Sequence, residues 1–139
     1  MSATRPVAVG LFRGSGRETR LLAGRRRSDG RLIFPLPSGG HSDRYEVVEL
    51  GQKGILWSWT IQRFAPKPPY DGADGPDFRP FAVGYVEIPG EIIVESRLVS
   101  VPFDRLRVGL PVRVTTEAYR TDPDGTDILT YAFESEESA

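Results

Sequence analysis

What most constrains this chain is how often it is interrupted. Among 139 residues, 15 glycines and 12 prolines break it at short intervals. The runs between them are too short for long helices and alternate apolar with polar residues, the period of half-buried strands. Ile55-Leu56-Trp57-Ser58-Trp59-Thr60-Ile61-Gln62-Arg63-Phe64 is the first such run. Its alternation predicts Ile55, Trp57, Trp59 and Ile61 on one face and Ser58, Thr60 and Gln62 on the other. Phe81 to Ile88 and Ile92 to Val99 form a second and a third strand, with Pro89-Gly90 between them where a type II turn wants proline and glycine. Val112-Arg113-Val114-Thr115-Thr116 is a fourth, valines inward. Asp122-Pro123-Asp124-Gly125 is a turn, and Ile128 to Phe133 a fifth strand. After residue 45 no sustained 3.6-residue apolar period occurs, and Phe103 to Val108 has room for one helical turn.

Five strands over about 80 residues suit a small closed barrel, because closure removes the exposed edges of an open sheet. The expectation is a mainly β protein built on a five-stranded OB-fold antiparallel barrel of the Greek-key kind, with a β-sandwich as the second choice. Domain boundaries are expected at 1–50 for an N-terminal arm and hairpin, 51–134 for the barrel and 135–139 for an acidic tail. With 39% hydrophobic and 10% aromatic residues the chain can bury a core. No apolar run approaches the length of a membrane span, and the first residues lack the apolar stretch of a signal peptide. A soluble, cytoplasmic protein with no membrane partner is expected.

The chain has no cysteine and one histidine, His41. Disulfides, thiolate metal sites and cysteine nucleophiles are therefore excluded, as is a multi-histidine metal centre.

Charge is unevenly spread behind a net value of −1. Residues 1–44 carry nine arginines against Glu18, Asp29 and Asp43, whereas residues 115–139 carry Arg120 against seven acidic side chains. The end of the chain, Glu134 to Ala139, reads as a solvated, frayed tail. The N-terminal segment holds Leu21-Leu22 and Leu32-Ile33-Phe34 on either side of Asp29-Gly30, the outline of a hairpin too poor in apolar mass to fold alone. It is expected to dock on the barrel or on a partner.

The order of parts resembles a family of small proteins that pair a rubredoxin-like zinc ribbon with an OB-fold and accompany thiolase-like enzymes. The resemblance covers roughly residues 20–134. It is carried by Gly54, Ser58 and Thr60 in the first barrel strand, by the proline-bearing stretch 65–80, by the aromatic-led strand Phe81 to Ile88, and by the turn Leu106-Arg107-Val108-Gly109 before the valine strand. The ribbon half keeps Gly30 and Phe34-Pro35 but not the cysteines. Arg26, Asp29, Ser38 and His41 stand near the places of the zinc ligands, and such a set does not make a tetrahedral zinc site. A degenerate, metal-free ribbon is expected, held by a contact such as Arg26–Asp29 or Asp29–His41.

The resemblance implies a non-catalytic accessory subunit of a thiolase, retro-aldolase or acyltransferase, acting in coenzyme A thioester C–C bond chemistry. The partner supplies the catalytic groups, no cofactor is bound by the subunit itself, and a two-plus-two assembly is implied. Arg63, Lys67, Phe78 and Arg79, with Tyr70, flank or occupy the long loop; they are either ordinary surface residues or contacts for the partner or for an acyl-CoA. Trp57 and Trp59 are read as core or interface packing, with base stacking as the lesser alternative. Asp71, Asp74 and Asp77, and Asp122, Asp124 and Asp127, lack the ligand ladder of a calcium loop and read as turn residues. The competing function is a stand-alone OB module for single-stranded nucleic acid, disfavoured by the near-neutral barrel and acidic C-terminal region.

Overall fold

Residue-by-residue alternation is clearest in the hairpin Phe81–Ile88 and Ile92–Val99, and the computed structural model places both strands with those bounds. Ala82, Gly84, Val86 and Ile88 point inward on one, Val94, Ser96 and Leu98 on the other. Between them the Glu91 N–H donates to the Ile88 carbonyl at 2.9 Å. Gly90 takes φ +76° in this turn, where a Cβ would be strained and proline supplies the preceding angle.

The structure describes residues 4–6, 10–37, 43–63 and 79–137. In chain order its strands are β1 (Thr4–Pro6), β2 (Phe12–Arg13), β3 (Arg20–Arg26), β4 (Leu32–Ile33), β5 (Tyr45–Glu49), β6 (Lys53–Gln62), β7 (Phe81–Ile88), β8 (Ile92–Val99), β9 (Pro111–Thr121) and β10 (Asp127–Ser135). Single 3₁₀ turns lie at Gly16–Glu18 and Phe103–Arg105.

Strands β6 to β10 close on themselves. The neighbours run β10-β8-β7-β6-β9, and β9 pairs back with β10. This is the five-stranded barrel expected of an OB-fold, antiparallel at every junction except β8–β10, which is parallel through Leu98↔Phe133 and Val99↔Glu134. β1 adds a short parallel pairing to β10. β9 runs well past the Val112–Thr116 expected, since the β9–β10 ladder extends to Thr121↔Asp127.

Two glycines permit the strands to approach. A Cβ on Gly54 would run into Val86 Cγ1 and lie 3.0 Å from the Glu87 carbonyl oxygen; one on Gly84 would lie 2.7 Å from Leu56 Cδ1 and 2.8 Å from the Ser58 carbonyl oxygen. Glycine at 54, part of the resemblance, is thus required by packing.

The N-terminal segment is a small sheet centred on β3. β2 and β4 lie antiparallel to β3, and β5 pairs with it from Leu22↔Glu49 to Arg26↔Tyr45. It docks on the barrel, one of the two outcomes expected. Phe12, Leu21, Ala23 and Leu50 join Leu56, Val86, Val114 and Phe133 in one continuous core. Phe34 meets Tyr131 edge to face at 5.5 Å. Gly16 N–H donates to Thr116 Oγ1 at 2.9 Å, and Gln52 Nε2 donates to the Arg17 and Thr19 carbonyls at 3.0 and 3.2 Å.

The acidic end is not frayed where it is described, a correction to the sequence reading. Ser135 belongs to β10, Glu136 N–H donates to the Pro111 carbonyl at 2.9 Å, and Glu137 receives both Arg107 amino groups at 2.9 and 2.6 Å. Two arginines on the barrel therefore hold it, since Glu136 also lies 3.8 Å from Arg113.

Candidate functional site

The first barrel strand does not present one continuous apolar face. A bulge between Leu56 and Ser58 shifts the β6–β7 register, so that Leu56 faces Val86 while Ser58 faces Tyr85 and Trp59 faces Gly84. An extra residue in one strand reverses the inward–outward parity beyond it. Ile55 and Trp57 consequently stand outward, whereas Ile61 packs against the core from the far side of the bulge. Core packing of the tryptophans is overturned: Trp57 is 57% exposed and Trp59 39%.

The outcome is an apolar outer wall on β6–β8. Ile55 and Ile93 flank Glu87 in register, and Tyr85 lies between Ser58 and Glu95. Ile55, Trp57, Tyr85 and Ile93 are all exposed. Large apolar side chains gathered on one sheet face mark a surface that gains from being covered. Glu87 and Glu95 stand among these side chains and repel a phosphate backbone, while Lys53 and Arg97 lie on the same outer faces of β6 and β8.

A second feature lies where this wall turns towards β10. Arg97 stacks its guanidinium 4.5 Å above the centre of the Phe81 ring, and its Nε stands 3.1 Å from Glu117 Oε1. The ion pair is not aligned as a hydrogen bond, and this Nε is buried without one. Burial raises the Glu117 carboxyl above its ordinary range, and the Arg97 charge partly offsets that rise. Tyr131 donates its hydroxyl to the Glu95 carbonyl at 2.9 Å; burial, with the Glu95 charge adding to it, raises its pKa as well. Arg97, Glu95, Thr130 and Tyr131 line an open cleft of about 400 Å³. Nothing in the sequence pairs residues 97 and 117, which meet only across β10.

Of the expected site residues, Arg63 and Arg79 are exposed and are brought to the same end of the barrel by the pairing Gln62↔Phe81. Lys67 and Phe78 lie outside the described residues, as do Tyr70, Asp71, Asp74 and Asp77. Ser38 and His41 also lie outside them. Of the two contacts offered in place of a metal, Arg26–Asp29 is present and bidentate, Nε to Oδ1 at 3.0 Å and Nη2 to Oδ2 at 2.8 Å. Those bonds, with the Arg31 N–H, lower the Asp29 carboxyl to about 2. Among the described residues no three His, Cys, Asp or Glu side chains are grouped to hold a metal ion. Among them, too, no helix is long and apolar enough to cross a membrane.

Comparison with known proteins agrees with this architecture. Residues 47–117, from within β5 through most of β9, match the family described as "ChsH2, C-terminal OB-fold domain". The solved structure of an "Ltp2-ChsH2(DUF35) aldolase" superposes with a TM-score of 0.61 at 22% identity, covering 85% of this chain and 86% of that one. At that identity the likeness speaks for the fold. No curated protein matches the chain.

Proposed function

The chain belongs to the ChsH2 C-terminal OB-fold family, and on that premise we propose that it is a non-catalytic accessory subunit of a thiolase-like partner. The partner, a thiolase, retro-aldolase or acyltransferase, would carry out C–C bond chemistry on a coenzyme A thioester. The observation that carries the reading is the outer wall of β6–β8, where Ile55, Trp57, Tyr85 and Ile93 stand exposed together. A free-standing protein has no use for four such side chains on one sheet face; a subunit does. The fold shared with a subunit of an aldolase complex supports the same conclusion.

Further parts of the proposal follow from it. The assembly is two-plus-two, and Arg63, Lys67, Phe78 and Arg79 contact the partner or the acyl-CoA around the end of the barrel. The thioester is held by the complex and not by this chain alone, and the complex works in the cytoplasm. No phosphate-cradling glycine loop accompanies these residues in the sequence, so the cations would act as rim contacts.

The test is co-expression with a thiolase-like protein encoded beside this one. Stable co-purification together with acyl-CoA turnover is the expected outcome. Absence of a complex, combined with tight, salt-dependent binding of single-stranded DNA or RNA, would reverse the reading.

A further inference from the structure

We propose that the arginine-rich turn of the N-terminal sheet binds a nucleoside diphosphate, with its phosphates between Arg27 and Arg44 and its ring against Tyr45. The argument begins with two grooves that share Arg26 as a common wall. One, about 360 Å³, is mostly apolar beyond Arg26 and Arg31, with Phe34, Tyr45 and Ile92 among its lining. The other, about 590 Å³, is lined among the described residues by Arg26, Arg27, Ser28 and Arg44, none of them apolar. A ligand that is flat and apolar at one end and multiply anionic at the other fits such a pair, and a nucleotide has that build.

The pairing of charges supports the same division. Arg26 is fixed by its two bonds to Asp29, and Arg25 lies 3.8 Å from Glu46. Those two cations are largely offset. Arg27 donates its Nε to the Asp43 carbonyl at 3.2 Å, a contact with a neutral acceptor that leaves its charge uncancelled. Arg31 is partly offset by the Asp29 carboxylate, whereas Arg44 has an exposed side chain with no carboxylate against it among the described residues. Arg27 and Arg44 bring two arginine forks to one groove, and phosphate oxygens accept such forks bidentately. An extended nucleic acid is the weaker fit, because the neighbouring barrel wall is acidic at Glu87 and Glu95.

The inference goes beyond the accessory-subunit reading and does not need it: the isolated chain should bind the nucleotide end with no partner present, while holding the thioester end still requires the complex. The nucleotide could be free or could be the end of a coenzyme A, and two arms separate these. Calorimetric titration of the intact chain with ADP, coenzyme A, pyrophosphate, adenosine and a single-stranded oligonucleotide is the experiment. ADP should bind about tenfold more tightly than pyrophosphate or adenosine, since each of those fills one groove only. Coenzyme A binding more tightly than ADP identifies the bound source as the coenzyme; equal or weaker binding identifies free nucleotide. The double variant Arg27→Glu/Arg44→Glu, both exposed positions, should lose at least about tenfold in ADP affinity, the scale of one charge-assisted hydrogen bond, with an unchanged circular dichroism spectrum. ADP that does not bind, binds the double variant equally, binds no better than pyrophosphate, or is outcompeted tenfold by the oligonucleotide overturns the proposal.

Discussion

Arg97 and Glu117 meet across the barrel wall, Nε to Oε1 at 3.1 Å, although they sit on strands that do not pair with each other. Phe81 covers the guanidinium from the third side. The arrangement links β7, β8 and β9 through side chains at the end of the barrel that also carries Arg79.

Glu117 gives this contact a pH signature. Its carboxyl is raised above the ordinary value of 4.5, with burial as the main cause. The folded state therefore holds the proton more firmly than the unfolded chain. Stability must then fall as pH rises from about 4.5 through the folded pKa. Urea titrations at pH 4 and pH 7 should show this fall, and Glu117→Gln should flatten it. A variant with the same pH slope as the parent would show that the carboxyl is not responsible.

Removing the cation tests the same contact from the other side. Arg97→Ala loses the ring stacking and half of a partly buried ion pair, together about 1–2 kcal/mol. Arg97→Lys retains the charge but not the flat stacking face, so it should recover only part of that loss. Full recovery by lysine would reduce the Phe81 contact to mere proximity. Denaturant midpoints at constant m-value measure all three proteins.

Asp29 titrates in the opposite direction. Arg26 holds its carboxyl at about 2, below the ordinary 3.8. A depressed acid adds stability that is present above 3.8 and lost as pH falls towards 2. The group is fully exposed, so the titration itself is the better observable than stability. Carboxyl carbon shifts followed by NMR should place the Asp29 midpoint near 2 and return it towards 3.8 in Arg26→Ala.

How much of this was legible depended on how local the cause was. The β7–β8 hairpin could be read to the residue because alternation and Pro89-Gly90 act within one short stretch. The face of β6 could not, since a bulge leaves no mark in the alternation of Ile55, Trp57, Trp59 and Ile61; it arises where Leu56 N–H donates to the Leu110 carbonyl at 2.9 Å and its own carbonyl accepts from Gly109 at 2.7 Å. β5 was missed because Tyr45 to Glu49 alternates weakly and is fixed by its pairing with β3. The parallel β8–β10 junction, the Arg97–Glu117 contact and the groove joining Tyr45 to Ile92 are products of closure. Arg26–Asp29, three residues apart in a turn, was readable beforehand because its cause is local.

The close strand approach at Gly84 makes a stability prediction. Alanine there places its Cβ 2.8 Å from the Ser58 carbonyl oxygen, a backbone atom that can yield only by moving β6. Such overpacking costs typically about 1–3 kcal/mol. Gly90→Ala is the contrast: nothing lies within 4 Å of its Cβ, and only the left-handed φ of +76° is strained, at about 1 kcal/mol. Chemical denaturation should rank Gly84→Ala as the more destabilised; the reverse order would mean that β6 and β7 are less tightly joined than the Leu56↔Val86 and Trp59↔Gly84 register requires.

Trp57 separates stability from association. Its side chain is 57% exposed at the bulge, so it contributes little to the core. Trp57→Ser should therefore leave the denaturant midpoint within about 0.5 kcal/mol of the parent, as surface changes generally do. If the β6–β8 wall is where a partner docks, the same substitution removes an aromatic anchor. Truncating such anchors commonly weakens binding by about 2 kcal/mol or more, a factor of about thirty. Pull-down of the co-expressed thiolase-like protein should fall accordingly in Trp57→Ser and in Tyr85→Ser, but not in Val108→Ser, which removes a comparably exposed apolar side chain outside the β6–β8 strands. Equal loss in all three would indicate general surface stickiness, and no loss in the first two would move the partner's docking site off this wall.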